Sequence, residues 1–122
     1  MFRNNVLNAV VFLVTVATSA NAASLDGMYT NGTDPDSSLS CNPDYLSEHG
    51  GTLAIKDGFL YGLESACELT KPTNVRGMDA VLYEAVCSGE GEQYSYRVMI
   101  MPHETGVYLA SDGYVAEWQN CP

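Results

Sequence analysis

The chain has 122 residues, of which 15 are aspartate or glutamate and 5 are lysine or arginine, so its formal net charge at pH 7 is −10. This charge excludes a nucleic-acid-binding role, because neutralising phosphates requires a basic surface. It disfavours binding to an anionic membrane for the same reason. The length allows one domain and is too short for two.

The first 22 residues are typical of a secretory signal peptide. Arg3 provides an early positive charge, a largely apolar run extends from Val6 to Val16, and Ala20-Asn21-Ala22 has the small-x-small pattern of a cleavage site. The apolar run has about eleven residues, whereas a membrane-spanning helix needs roughly twenty. We therefore predict a signal peptide over residues 1–22, a single disulfide-bonded β domain over 23–122, and a periplasmic or secreted protein without a stable membrane anchor.

The mature chain begins with a short segment, Leu25–Thr30, that is suited to a first strand. Turn-forming residues then dominate from Asn31 to Gly51, and Cys41 lies among them. We expect an irregular loop that is held by a covalent bond.

The remainder of the chain is predicted to form hairpins. Asp57-Gly58 and Asp112-Gly113 each separate two short apolar segments, which is a strong signal of a two-residue hairpin turn. A longer hairpin lies between them, with arms Ala80–Cys87 and Tyr94–Met101 and the turn sequence Gly89-Glu90-Gly91-Glu92. No segment of the mature chain has a convincing helical period. The predicted fold class is all-β, an antiparallel meander of six to eight strands that forms a small barrel or sandwich.

The register of the long hairpin follows from its apolar pattern. If Ser88 pairs with Gln93, one face of the hairpin is apolar throughout, and the other face places Glu84 opposite Arg97. A slip of one residue removes both features. The apolar face then consists of Cys87, Ala85, Tyr83 and Val81 opposite Tyr94, Tyr96, Val98 and Ile100.

All four cysteines lie in the mature region, and an even number in an exported chain predicts two disulfides. Four cysteines allow three connectivities. Cys67 and Cys87 are symmetric about Gly77, so a chain reversal there places them opposite each other. We therefore favour Cys67–Cys87 and Cys41–Cys121, whose loops are worth about 3 and about 4.5 kcal/mol in the chain-entropy model.

Motifs for catalysis or metal binding are not found. His49 and His103 are far apart and are expected on solvated turns, and neither a zinc-protease motif nor a nucleophile elbow occurs. Asp34 and Asp36 match the start of a calcium loop, but Leu39 occupies the position of its required glycine. We predict a protein without enzymatic activity, metal or other cofactor.

Binding is the remaining class of function. Glu90 and Glu92 at the hairpin turn, with Tyr94 and Tyr96 behind them, are the candidate binding residues, because an acidic tip backed by tyrosines suits a basic cleft in a protein partner. Phe59, Tyr61 and Leu63 either pack beneath the loop of residues 31–51, which we favour, or form an exposed patch.

The segments Glu64–Leu69 and Arg76–Gly91, together with the final Cys121, resemble small exported alphaproteobacterial proteins of unknown function. This resemblance implies export and two disulfides but no activity. Size, acidity and cysteine content are also similar to those of bacterial periplasmic lysozyme inhibitors, whose serine-glycine and tyrosine loop is matched in part by Ser88-Gly89 and Tyr94.

Two functions follow as expectations. The first is an exported binding domain that engages a cationic protein through an acidic, tyrosine-rich surface, for example to inhibit an enzyme such as a lysozyme. The alternative is a small lipocalin-like carrier of an apolar ligand, which the Gly27-Met28-Tyr29 start and the meander suggest. Size argues against the carrier, because a small eight-stranded barrel has little interior space.

Overall fold

The computed structural model describes residues 10–14, 25–31, 40–47 and 51–122. It contains eight strands and one turn of 3-10 helix. The strands are β1 (Gly27–Thr30), β2 (Leu53–Lys56), β3 (Phe59–Gly62), β4 (Ser65–Asn74), β5 (Val81–Gly89), β6 (Glu92–His103), β7 (Gly106–Ser111) and β8 (Tyr114–Asn120), and the 3-10 turn is Pro43–Tyr45.

The eight strands form a closed antiparallel barrel. Each strand pairs with the next along the chain, and β1 closes the sheet by pairing with β8 through Tyr29↔Asn120 and Thr30↔Gln119. Closure leaves no unpaired edge strand along the sheet. The predicted all-β meander is confirmed, at the upper end of the expected strand number and as a barrel.

The turns define two ends of the barrel. The end that we call the mouth carries the turns Leu63-Glu64, Glu90-Gly91 and Asp112-Gly113. The opposite end, the base, carries Asp57-Gly58, the segment 75–80 and Glu104-Thr105.

Two of the hairpin turns have the backbone conformation of a type I′ turn. Asp57 and Gly58 have φ values of 50° and 79°, and Glu90 and Gly91 have 49° and 77°. These positive values match the right-handed twist of the strands that the turns join. At the Asp112-Gly113 turn, only Gly113 has a positive φ, of 76°.

The predicted register of the long hairpin is confirmed, including Ser88↔Gln93 and Glu84↔Arg97. However, the ion pair of Glu84 is formed with Lys71 on β4, at 2.9 Å, and not with Arg97. A register shift between Thr70 and Thr73, with Lys71 at φ 51°, interrupts the β4–β5 ladder next to the Thr70↔Glu84 pair. The lysine is thereby placed beside the carboxylate.

Both predicted disulfides are present. Cys67–Cys87 joins directly opposite residues of β4 and β5 and is buried in the core. Cys41–Cys121 attaches the segment 40–47 to the end of the chain, and the Cys121 amide also donates to the Met28 carbonyl at 3.0 Å. The buried core around Cys67–Cys87 consists of Tyr29, Leu53, Ile55, Leu60, Ala85, Val98, Ile100, Val107 and Leu109.

Several expectations concern residues that are not described. Asp34, Asp36, Leu39 and His49 lie outside the described residues, as does most of the predicted signal peptide. Residues 10–14 are described, and their apolar side chains are exposed. In the described part of the chain, no helix has the length and apolarity that a membrane span requires.

Candidate functional site in the barrel interior

The inward-facing side chains differ in size between the two halves of the barrel. Towards the base, Ile55, Ile100 and Val107 fill the interior and are at most 2% exposed. Towards the mouth, the interior is lined by small residues at four strand positions. These positions are Gly62, Ser65, Ser111 and Ala116. Because small side chains do not fill the cross-section there, a cavity of about 490 Å³ remains.

The walls of the cavity are mainly apolar. Leu53, Leu60, Val98 and Leu109 line it from four different strands. Each of them is buried against the rest of the core. A ligand in this cavity would therefore contact a rigid aliphatic surface.

Trp118 forms an aromatic part of the wall. Its ring lies 6.1 Å from the ring of the buried Tyr29. The Tyr29 hydroxyl donates to the Leu25 carbonyl at 2.6 Å. Burial, with a smaller contribution from the negative charge of Asp26, raises the pKa of Tyr29 above 10.0.

Two tyrosines connect the cavity to the rim of the mouth. Tyr96 lines the cavity, and Tyr94 stacks on it with ring centroids 6.4 Å apart and an angle of 18° between the rings. Burial raises the pKa of Tyr96, and the neighbouring Tyr94 adds to this effect. Tyr94 itself is 46% exposed. The pair therefore extends from the interior to solvent.

The two acidic residues of the predicted site, Glu90 and Glu92, lie closer to the hairpin turn than the pair Tyr94 and Tyr96. Glu90 is in the tight turn, and Glu92 pairs with Gly89 as the first residue of β6. Both are exposed. Because the ladder continues to Gly89↔Glu92, only Glu90 and Gly91 project beyond it.

All four candidate binding residues thus lie at the mouth end. The sequence did not place Tyr114 or Trp118 among the candidate binding residues, nor the small residues that line the cavity. Tyr114 lines the cavity and is 66% exposed, and Leu63 lines it and is 43% exposed, so the cavity reaches the surface between them. The available signal was the alternation of β7 and β8, which places Ser111, Tyr114 and Ala116 on the same face as Leu109.

The segment 40–47 packs on the outside of the strands near the mouth. The Ser47 hydroxyl lies within hydrogen-bond distance of the carbonyl oxygens of Gly62, at 2.8 Å, and Ser65, at 2.5 Å. The Ser47 carbonyl accepts from the Glu64 amide at 2.8 Å. This segment therefore supports the backbone from which Gly62, Leu63 and Ser65 face the cavity.

The outer face of β3 carries an aromatic pair. Phe59 and Tyr61 have ring centroids 6.0 Å apart, and Phe59 is 38% exposed. We favoured packing of this face beneath the loop of residues 31–51. Most of that loop lies outside the described residues, and Phe59 and Leu63 are 38% and 43% exposed.

His103 does not lie on a solvated turn, and that expectation was wrong. It is the last residue of β6, its side chain is 18% exposed, and its ring lies 4.4 Å from that of Tyr108. Its Nδ1 accepts from the Thr105 amide at 3.3 Å, and its Nε2 lies 3.5 Å from Glu117 Oε1. Within the described ranges, no three histidine, cysteine or acidic side chains form a group suited to a metal ion.

The arrangement at the mouth is suited to enclosing a small molecule, because an apolar interior meets a polar, aromatic rim. Comparisons with known proteins do not narrow the function further. No protein-family model matches the chain, and neither curated proteins nor solved structures include a significant match.

Proposed function

We propose that this chain is an exported, non-enzymatic binding protein that holds a small, largely apolar ligand in the mouth half of its barrel. The observation that carries the proposal is the cavity of about 490 Å³ between the strands, with aliphatic walls and an opening beside Tyr114 and Leu63. Its volume lies in the range of small-molecule sites, roughly 300–1,000 Å³. An eight-stranded barrel is wide enough to hold one small ligand.

The expected affinity follows from the buried surface. Transfer of apolar area from water is worth about 25 cal/mol per Å², so a ligand that buries ~250 Å² gains roughly 6 kcal/mol before the cost of association. Burial of a similar area of the cavity wall brings the gain to roughly 12 kcal/mol, of which an association cost of about 4 kcal/mol leaves about 8 kcal/mol. We therefore expect dissociation constants in the micromolar range.

Fluorescence provides a direct test, because Trp118 is the only tryptophan of the chain and lines the cavity. Oxidised protein would be titrated with decanol and with N-phenyl-1-naphthylamine, two neutral apolar probes. We expect saturable changes in the Trp118 emission. Absence of saturable binding of both probes, in a protein with both disulfides formed, would contradict the proposal.

Cavity-filling variants locate the binding site. Ala116→Phe places a large side chain on the inward face of β8, and Ser111→Leu does the same on β7. Val115→Phe is the matched control, since Val115 lies next to Ala116 and is 68% exposed. Both fillers should abolish probe binding while the control retains it. Equal binding by all three variants would place the probes elsewhere.

The second candidate is binding of a cationic protein, such as an enzyme of the lysozyme kind, at the same rim. It is favoured by the exposure of Glu90, Glu92 and Tyr94 at one end of β6. Electrostatic attraction at an exposed rim weakens over a Debye length of about 8 Å at physiological ionic strength. Capture of such a partner should therefore be lost at high salt and in Glu90→Lys/Glu92→Lys. Asp57→Lys/Glu104→Lys at the base is the matched control and should retain the partner.

The positions of the tyrosines favour the first candidate. Tyr96 lines the cavity and is half-buried, so it is not part of a freely exposed surface. A protein partner would contact Tyr94 and the two glutamates, whereas a small ligand would contact both tyrosines.

A further inference from the structure

We propose that the ligand of this cavity carries a positive charge next to its apolar body, as an alkyl amine or quaternary ammonium compound does. The proposal rests on the function proposed above and specifies the chemical class of the ligand. The apolar part would lie between Leu53, Leu60 and Leu109, and the cationic group would lie at the mouth.

Acidic residues surround the mouth of the barrel. Each of the three turns at the mouth contributes one exposed carboxylate, from Glu64, Glu90 and Asp112 respectively. Glu92, next to the second turn, contributes a fourth. A cation at the mouth would be attracted from three sides, and an anion would be repelled from the same three sides.

The basic residues of the barrel lie away from the mouth. In the part of the chain from residue 51 onward, Lys56 directly precedes the Asp57-Gly58 turn at the base, and Arg76 lies in the segment 75–80 at the same end. Lys71 lies on β4 towards that end. Arg97 projects from the middle of β6 on the outer face, opposite Glu84. None of these four basic residues is at the mouth. The four carboxylates at the mouth therefore have no neighbour among these basic residues.

The base provides the contrast. It also has four exposed carboxylates, from Asp26, Asp57, Asp79 and Glu104, but two basic residues, Lys56 and Arg76, lie at the same end. The negative charge of the described barrel is therefore concentrated at the end where the cavity opens. Overall acidity alone would not produce this asymmetry.

Aromatic side chains at the rim favour a cation independently of the carboxylates. Tyr94, Tyr96 and Tyr114 lie along the route from the cavity to solvent, and Trp118 lies deeper in the cavity wall. The faces of such rings attract ammonium groups, and more strongly where the cation is partly desolvated. Aliphatic walls below, aromatic rings at the opening and carboxylates around it together suit an apolar cation.

The test compares three probes that share one alkyl chain. Decyltrimethylammonium, decanol and decanoate would be titrated into oxidised protein below micelle-forming concentrations, with Trp118 emission and calorimetry as readouts. We expect decyltrimethylammonium to bind about tenfold or more tightly than decanol, and decanoate to bind most weakly. The preference for the cation should decrease as salt is raised.

Charge-neutralising variants test the role of the mouth. Glu64→Gln/Glu90→Gln/Asp112→Asn removes one carboxylate from each mouth turn, and Asp57→Asn/Asp79→Asn/Glu104→Gln makes the same change of net charge at the base. The mouth variant should bind the cation and decanol with similar affinity, whereas the base variant should retain the preference. Tyr94→Leu/Tyr114→Leu should weaken cation binding severalfold with little effect on decanol.

The outcomes separate this proposal from the one on which it rests. Equal affinity of the wild-type protein for all three probes would overturn the cationic ligand and leave the apolar cavity supported. Equal loss of cation preference in the mouth and base variants would also overturn it, since the effect would then be due to net charge. Failure of all three probes to bind would overturn both proposals. The wild-type comparison and its salt dependence decide the matter even if a variant does not fold.

Discussion

The rings of Tyr29 and Trp118 lie 6.1 Å apart, although one residue belongs to the first strand and the other to the last. Their contact lies where β1 and β8 pair and close the barrel. Trp118 also lines the cavity, so the packing that closes the sheet supports one wall of the proposed ligand site. Changes at Tyr29 should therefore affect both stability and the fluorescence of Trp118.

Stability is expected to fall at alkaline pH. Burial raises the pKa values of Tyr29, Tyr83 and Tyr96 in the folded protein above 10.0. A phenol with a raised folded-state pKa contributes stability that is fully present below its unfolded pKa and is lost as the pH rises through the folded pKa. Thermal unfolding should change little from pH 7 to 9 and shift to lower temperature above about pH 10.

Tyr29→Phe tests the contribution of this residue to that effect. It removes one ionisable group and the hydrogen bond to the Leu25 carbonyl, so we expect a loss of about 1 kcal/mol at pH 8. Its unfolding temperature should then decline less steeply above pH 10 than that of the wild type. An identical decline would show that Tyr29 does not contribute to the alkaline loss.

The Glu90-Gly91 turn should respond in opposite directions to two substitutions. Both residues have positive φ, of 49° and 77°. Asparagine tolerates this conformation better than glutamate, so Glu90→Asn should stabilise the protein by several tenths of a kcal/mol. Gly91→Ala should destabilise it by about 1 kcal/mol. Urea unfolding measures both, and a stabilising Gly91→Ala would contradict the assigned backbone conformation.

The two disulfides are expected to differ in their effect on ligand binding. Replacing either pair with alanine should lower the free energy of unfolding, by about 3 kcal/mol for Cys67–Cys87 and about 4.5 kcal/mol for Cys41–Cys121. Cys67 lines the cavity, whereas Cys41 and Cys121 do not line it. Probe affinity at a temperature where both variants are folded should therefore change more when the Cys67–Cys87 pair is replaced than when the Cys41–Cys121 pair is replaced. A change in probe affinity that occurs only in the variant without Cys41–Cys121 would contradict the proposed position of the ligand site.

Gly106 should not tolerate a side chain. A Cβ atom at this position would lie 1.9 Å from the Trp118 carbonyl oxygen, and this oxygen belongs to the neighbouring strand β8. Because backbone must move to relieve the overlap, Gly106→Ala should cost about 2 kcal/mol or more. Gly77→Ala is the control. Gly77 has a φ of 79°, but a Cβ atom at this position would contact nothing within 4 Å beyond its chain neighbours. This control substitution should cost about 1 kcal/mol, and equal losses in thermal unfolding would contradict the close approach at Gly106.

Part of the candidate site was accessible from the sequence. The turn sequence around Glu90 and the following tyrosines pointed to the end of a hairpin that lies at the mouth, where the cavity opens. Their roles were not accessible, because the alternation of β6 shows that Tyr94 and Tyr96 share a face but not what that face encloses. Tyr114 and Trp118 lie about twenty residues away and reach the same cavity only through the curvature of the sheet.

The sequence by itself determined the features that depend on near neighbours. Positive-φ turn residues selected the Asp57-Gly58 hairpin, and the apolar alternation selected the register of β5 and β6. The chain reversal near Gly77 placed Cys67 on β4 opposite Cys87 on β5. These features have short loops to close, so local preferences are sufficient to specify them.

Only the tertiary structure decided between barrel and sandwich, since the choice depends on the pairing of β1 with β8 across most of the chain. It also decided that the interior has an open half. That cavity exists because Gly62, Ser65, Ser111 and Ala116, from four strands, meet at one level of the barrel. Each is an ordinary small residue in its own strand, and empty space arises only where closure brings all four together.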